Sequence, residues 1–145
     1  MIIQWEPTLS VHNDTLDEQH RDFIKTINRL DELSSTKGDI TKELVRAVDF
    51  LEEYSKKHFA YEESYMVTHN FPELDLHKEE HNRFIRTIES MRKELDMDGA
   101  TAKLVNDISR FVADWLVMHI RGVDHRYVVF IETGKVPAHT HKKFS

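Results

Sequence analysis

Cysteine is absent from the 145 residues, which excludes disulfides, iron–sulfur clusters, haem-thiolate ligation and thiolate zinc fingers. A metal in this chain must be held by histidine and carboxylate. Four glycines and three prolines supply too few turn residues for an all-β fold and favour long helices. Positive charge is also short: 20 Lys and Arg stand against 26 Asp and Glu, for a formal net charge of −6. Acids and bases are intermixed, with no basic patch of the kind that tracks a phosphate backbone, so nucleic acid is not the expected partner. No apolar run approaches the roughly 20 residues of a membrane span. Met1-Ile2-Ile3-Gln4-Trp5-Glu6-Pro7 has neither the basic n-region nor the apolar h-region of a signal peptide. The expectation is a soluble cytoplasmic protein of one domain, large enough to bury a core.

Four stretches of the chain carry a 3.6-residue apolar period. Residues 1–16 contain Pro7 and little periodicity and read as an irregular arm anchored by Trp5, Leu9 and Val11. The first helix is expected near Asp17 as N-cap, with Thr15 and Glu18 as a competing capping box. Its stripe runs Leu16, Phe23, Ile24, Ile27, Leu30 and Leu33, with His20 on the same face. The second opens after Asp39 and buries Ile40, Leu44, Ala47, Val48, Leu51, Phe59 and Met66, until Asn70-Phe71-Pro72 ends it. The third runs from about Glu73 to Leu95 with Leu74, Phe84, Ile85, Ile88 and Met91. The fourth carries Leu104, Ile108, Phe111, Val112, Trp115 and Leu116. Short connections between such helices predict an all-α, up-down-up-down four-helix bundle over 17–124. A short capping segment and tail follow over 125–145.

Histidine and acid recur at helical spacing on these faces. His58 and Glu62 lie four apart, as do His77 and His81, so each pair shares one helix face. His119 and Asp124 lie five apart, about 140° round an ideal α-helix. Gly122 between them predicts a helix distorted or finished by Asp124, which swings the carboxylate back. One such pair is usually an ordinary solvated face; three on three helices, each interrupting an apolar stripe, are not. Antiparallel packing brings the start of the first helix, the end of the second, the start of the third and the end of the fourth together. His20, His58, Glu62, His77, His81, His119 and Asp124 therefore converge at one end of the bundle. Five imidazoles and two carboxylates are too many for one ion and suit two. If Glu62 and Asp124 each bridge, the histidines divide three and two. A bridging solvent oxygen then completes one ion at six ligands and leaves the other at five, with an open position for a small ligand.

Asp-Glu-Gln-His at 17–20, His-Phe-x-x-Glu-Glu at 58–63, Pro72 followed by His77-x-x-x-His81, and Trp-Leu-x-x-His-Ile at 115–120 before Asp124 carry a resemblance to the hemerythrins. More specifically the chain resembles a single-domain bacteriohemerythrin, and the likeness spans about Trp5 to Ile131. The resemblance implies a non-haem di-iron centre with a bridging oxo or hydroxo group, binding O2 reversibly for carriage, storage or delivery rather than acting as an enzyme. It implies that His77, His81 and His119 hold the six-coordinate iron, that His20 and His58 hold the open one, and that Glu62 and Asp124 bridge. It also implies that Phe23, Phe59, Trp115, Leu116 and Ile120 line the O2 pocket; bundle core is the plainer reading of the same residues, and both can hold. The ferritin-like di-iron proteins use paired Glu-x-x-His motifs, and this chain contains none. Other functions stay open on the residues: an O2 or redox sensor or an iron-binding module acting through a signalling partner, and a di-iron enzyme handling peroxide or NO or a two-metal hydrolase. A monomer that delivers O2, in one case to an O2-consuming enzyme, is the expected form. His12, His69, His125, His139 and His141 read as surface residues, with a supporting role behind the ligands open to His125.

Overall fold

The computed structural model describes residues 3–138, and the His139 and His141 readings lie outside them. A short 3₁₀ turn, Pro7–Leu9, precedes helices α1 (Asp14–Ser34), α2 (Thr41–Thr68), α3 (Leu74–Asp98) and α4 (Ala102–Met118). The chain then passes through a π-helical turn, His119–Asp124, into α5 (His125–Thr133). Among the described residues there is no strand. α1 packs against α2 and α4, and α3 against the same two, which is the square, antiparallel bundle expected from the short loops. No helix among the described residues is long and apolar enough to cross a membrane.

The arm is tied down more firmly than its sequence indicates. Leu9 and Val11 are buried in the core and Trp5 is half-buried, with the Arg21 guanidinium 4.5 Å above its ring. Asn28 clamps the backbone of Ile3 in both directions, its amide accepting from the Ile3 N–H and donating to the Ile3 carbonyl at 2.8 and 2.9 Å. Asp17 does not cap α1. It is buried and accepts from Ser10 Oγ at 2.5 Å and from the Val11 N–H at 2.9 Å. The N-cap is instead Asn13, whose side chain accepts from the Leu16 N–H, so the cap of α1 lies four residues earlier than expected and the Thr15 box is not used. Three candidate caps lie within five residues, and the arm's claim on Asp17 decides among them.

α2 ends in a Schellman turn. Asn70 takes φ +57°, the Phe71 N–H reaches back to the Met66 carbonyl at 3.0 Å, and Asn70 N–H to Val67 at 3.1 Å. Pro72 then bars continuation, but the stop is built by Asn70 and by burial of Phe71 and Met66. α3 runs three residues past Leu95, to Asp98, and Gly99 closes it at φ +81°. Its buried stripe is His77, His81, Phe84, Ile88 and Leu95; Leu74, Ile85 and Met91 are only half-buried, on the flank of that stripe. The stripes of α1 and α2 are buried as expected, and in α4 only Phe111 is half-exposed.

The exit from α4 departs most from regular geometry. Residues 119–124 form a π turn, in which the His125 N–H bonds back five residues to the Ile120 carbonyl. Hydrogen bonding to i−5 widens the turn, so residues five apart come round to one face. The helix therefore does not finish at Asp124: it widens for one turn and resumes as α5. Gly122 is not among the residues with positive φ, so the widened turn, not glycine's left-handed freedom, carries Asp124 to His119.

Candidate metal centre

All seven residues picked from spacing are buried, each at 2% exposure or less. Their approach is centred on Glu62. Its Oε1 lies 2.8 Å from His81 Nε2, 3.1 Å from His77 Nε2 and 3.8 Å from His119 Nε2. Its Oε2 lies 3.8 Å from both His20 Nε2 and His58 Nε2. One carboxylate thus divides the histidines three and two, an oxygen to each set. Asp124 divides them again: Oδ1 is 2.7 Å from His77 Nε2 and 3.0 Å from His119 Nε2, and Oδ2 is 3.5 Å from His20 Nε2. Donor atoms of Glu62, His77, His81 and His119 all fall within 4.8 Å of one another, and so do those of His20, His58 and Glu62.

Several of these atoms are left without a hydrogen bond in the folded chain. Both ring nitrogens of His20, both of His119 and Oδ2 of Asp124 have no partner among the described residues; His119 Nε2 is close to Asp124 but poorly aligned for one. A buried polar atom without a partner costs about 1–3 kcal/mol, and several brought together are what a bound cation would satisfy. Two fully buried carboxylates also require positive charge. The donor set is nitrogen and oxygen with no sulfur, which suits a first-row metal such as iron. The residues fit a pair of metal ions.

The electrostatics describe the same division. Burial pulls His119 down, but Asp124 and Glu62 outweigh it and raise it to about 10. His77 is raised in the same way, against its burial, by Asp124 and Glu62. Burial lowers His58 to about 3, with Glu62 only partly offsetting it, and lowers His20 likewise. Glu62 is pushed up by burial yet held well below the usual carboxylate value by His119, His77 and His81; Asp124 is also lowered, against burial and Glu62, chiefly by His119. His77 and His119 are thus shifted toward the protonated form and His20 and His58 toward the neutral one.

For the metal-free chain this sets a pH optimum. His58 binds its proton more readily unfolded, near 6.5, than folded, so stability falls as pH drops below about 6.5 toward 3. The lowered carboxylates act in the same direction. His119 acts on the other side: its stabilisation is complete below about 6.5 and is lost as pH climbs toward 10. Urea melts of metal-free protein from pH 3 to 10 are expected to peak between about 6 and 7; a monotonic profile contradicts this charge arrangement.

Aromatic rings support the ligands. Phe59 stacks on His81 at 3.9 Å and 6°, and Trp115 on His119 at 4.3 Å and 12°. Phe23 meets His58 edge-on at 5.3 Å. These three, with Leu116 and Ile120, are all buried, so two of the five residues taken for the O2 pocket back the three-histidine half while Phe23 flanks the other. His125 does not support a ligand: its ring meets the carbonyls of Arg121 and Ser10 at 3.3 and 3.2 Å, pinning the arm to α5. His12 pairs with Glu132, and His69 donates to the Tyr65 carbonyl at 2.9 Å.

Three supporting residues escape the sequence pattern. Gln19 accepts from His58 Nδ1–H and Glu63 from His81 Nδ1–H, each at 2.7 Å. Tyr127, fully buried on α5, donates its hydroxyl to Glu62 Oε2 at 3.2 Å. Tyr127 lies three residues past Asp124, on the face the π turn leaves inward, and that spacing was its only signal. Tyr127→Phe removes one donor to a buried carboxylate, so metal-free protein is expected to lose about 1.5–3 kcal/mol of unfolding free energy while still taking up metal. Urea melts with metal analysis measure both; unchanged stability contradicts the bond.

A four-helix bundle with a buried pocket of five histidines and two shared carboxylates is a di-metal protein of the histidine-rich kind. Sequence comparison agrees on the family: the model of the hemerythrin HHE cation binding domain matches residues 11–131. The chain is 30% identical over 127 residues to a bacteriohemerythrin of Clostridium acetobutylicum, covering 86% of this chain and 97% of that one. It is 29% identical over 124 residues to a myohemerythrin of Theromyzon tessulatum, covering 86% and 89%, and 33% identical over 124 to a hemerythrin-like protein of Naegleria gruberi, covering 85% and 88%. The chain belongs to the hemerythrin family, and membership implies a di-iron centre.

Proposed function

We propose that the chain binds O2 reversibly at two non-haem irons, as a cytoplasmic monomer that carries, stores or delivers the gas, with residues 1–145 acting as one domain. The observation that carries this reading is the way Glu62 and Asp124 each offer one oxygen to either set of histidines. His77, His81 and His119 would hold one iron and His20 and His58 the other, with Glu62 and Asp124 shared between them. Two ferrous ions, when bound, would supply the two electrons that reversible O2 binding uses.

The chain's own part is to orient and to exclude. Gln19 and Glu63 fix the His58 and His81 rings with Nε2 inward, and the stacked Phe59 and Trp115 keep His81 and His119 from turning. Tyr127 OH donates to Glu62, so the carboxylate enters the site already oriented. Phe23, Leu116 and Ile120 keep the surroundings apolar, and a dry apolar cavity denies protons and water to the gas. A histidine-rich set with two carboxylates, shut in this way, favours carriage over turnover. The sensor and enzyme readings draw on no observation of their own.

Metal analysis tests this at its base. Protein from iron-replete expression is expected to hold two irons per chain, against a value near one, or zinc chosen over iron when both are supplied, which would contradict it.

A further inference from the structure

Each half of the site has one ligand held from behind by a side chain, and the two supports differ in charge. In the two-histidine half it is Gln19, which accepts from His58 Nδ1–H at 2.7 Å. In the three-histidine half it is Glu63, which accepts from His81 Nδ1–H at the same distance. An amide oxygen and a carboxylate can only accept, so both rings carry a proton on Nδ1 and leave Nε2 as the atom that faces Glu62, at 2.8 Å for His81 and 3.8 Å for His58. His20 and His119 have no such support, since their Nδ1 atoms are buried without a partner. The hydrogen-bond geometry is therefore matched across the site, and one formal charge separates the halves. A carboxylate behind an imidazole raises the basicity of the ligating nitrogen. It also adds anionic field to the half where Glu62 Oε1 and Asp124 Oδ1 already face His77. An amide orients the ring without doing either.

We propose that Gln19 and Glu63 are positioning residues that make the two ion positions unequal: the Glu63-supported position at His77, His81 and His119 binds its ion more tightly, and the Gln19-supported position at His20 and His58 more weakly. This rests on the two-iron reading above. The inequality is useful where one ion is to stay saturated and the other is to keep a place for an incoming molecule. Filling is then ordered, with the three-histidine position first and the two-histidine position second. Glu63 is reachable from solvent, its side chain 24% exposed, yet its bond to His81 holds its charge against the site.

Anaerobic titration of the metal-free, full-length protein with Co2+, followed by visible absorption and calorimetry, tests the inference. The parent is expected to take two ions in two resolved steps. Glu63→Gln keeps an acceptor of the same reach but removes the charge, and is expected to weaken the first step by about ten- to a hundred-fold while leaving the second as in the parent. Gln19→Glu is the reciprocal change and is expected to tighten the second step until the two merge. Circular dichroism and melting of the metal-free variants establish that each is folded; if one is not, the other carries the test alone. Parent-like stepwise affinities in the folded variants overturn the proposal. So does equal weakening of both steps, which marks a merely structural role. A parent that takes up one Co2+ or none overturns the two-ion reading and this inference with it.

Discussion

Glu62→Ala, purified after iron-replete expression, is expected to carry close to none of the two irons held by the parent. The expectation follows from where its two oxygens lie. Oε1 faces His81 and His77 at 2.8 and 3.1 Å, and Oε2 faces the His20 and His58 pair, so under the proposed assignment one truncation removes a ligand from both positions. The loss extends to stability. A ligand that binds only the native state stabilises it by mass action, and the variant forfeits that contribution, so its melting temperature as purified falls well below the parent's. It also strands the Tyr127 hydroxyl, whose partner is Glu62, at a cost of about 1–3 kcal/mol. His139→Ala and His141→Ala are the controls and retain both irons. Equal loss of iron in all three variants would mean that the bridge has been misplaced.

Leu116→Asn is expected to hold two irons normally yet lose its O2-dependent visible band several-fold faster than the parent. Leu116 lies on α4 one turn before His119 and is 3% exposed, so it contributes apolar wall and no ligand. Asparagine keeps similar volume but brings an amide that wants partners. Left unsatisfied, that amide costs on the order of 1–3 kcal/mol, enough to draw water in beside the ligands. Water supplies the proton that turns reversible binding into irreversible oxidation. Stopped-flow decay of the band, together with metal analysis, separates the two effects. An unchanged decay rate at full iron occupancy contradicts a guarding role for Leu116.

Much of this site was legible because its chemistry obeys helix periodicity. His58 with Glu62 and His77 with His81 could be placed on inward faces from spacing alone, and antiparallel topology brought those faces to one end. The His119–Asp124 pair shows what spacing hides. Five residues is the wrong interval for an α-helix, and a π turn that then resumes as α5 makes it right; glycine at 122 pointed to the place but not to the mechanism. The supports behind the ligands were not legible. Gln19 and His58 are 39 residues apart, and no periodicity links an amide on one helix to a ring on the next. Glu63 stood beside Glu62 in plain view, but adjacency on a helix usually means different faces, and only packing against α3 gives it His81. The start of α1 was misplaced for a related reason. Asn13, Thr15 and Asp17 are all good caps, and the choice is made by tertiary bonds from Ser10 and Val11 to Asp17 that local sequence does not encode.

The visible spectrum of the ferrous protein, taken without O2, then in air, then after the gas is swept out with argon, tests the central claim most directly. The account predicts an absorption band that appears in air, disappears under argon and returns through repeated cycles with the iron content unchanged. A spectrum unaltered by air, or one that changes once and does not return, would contradict it.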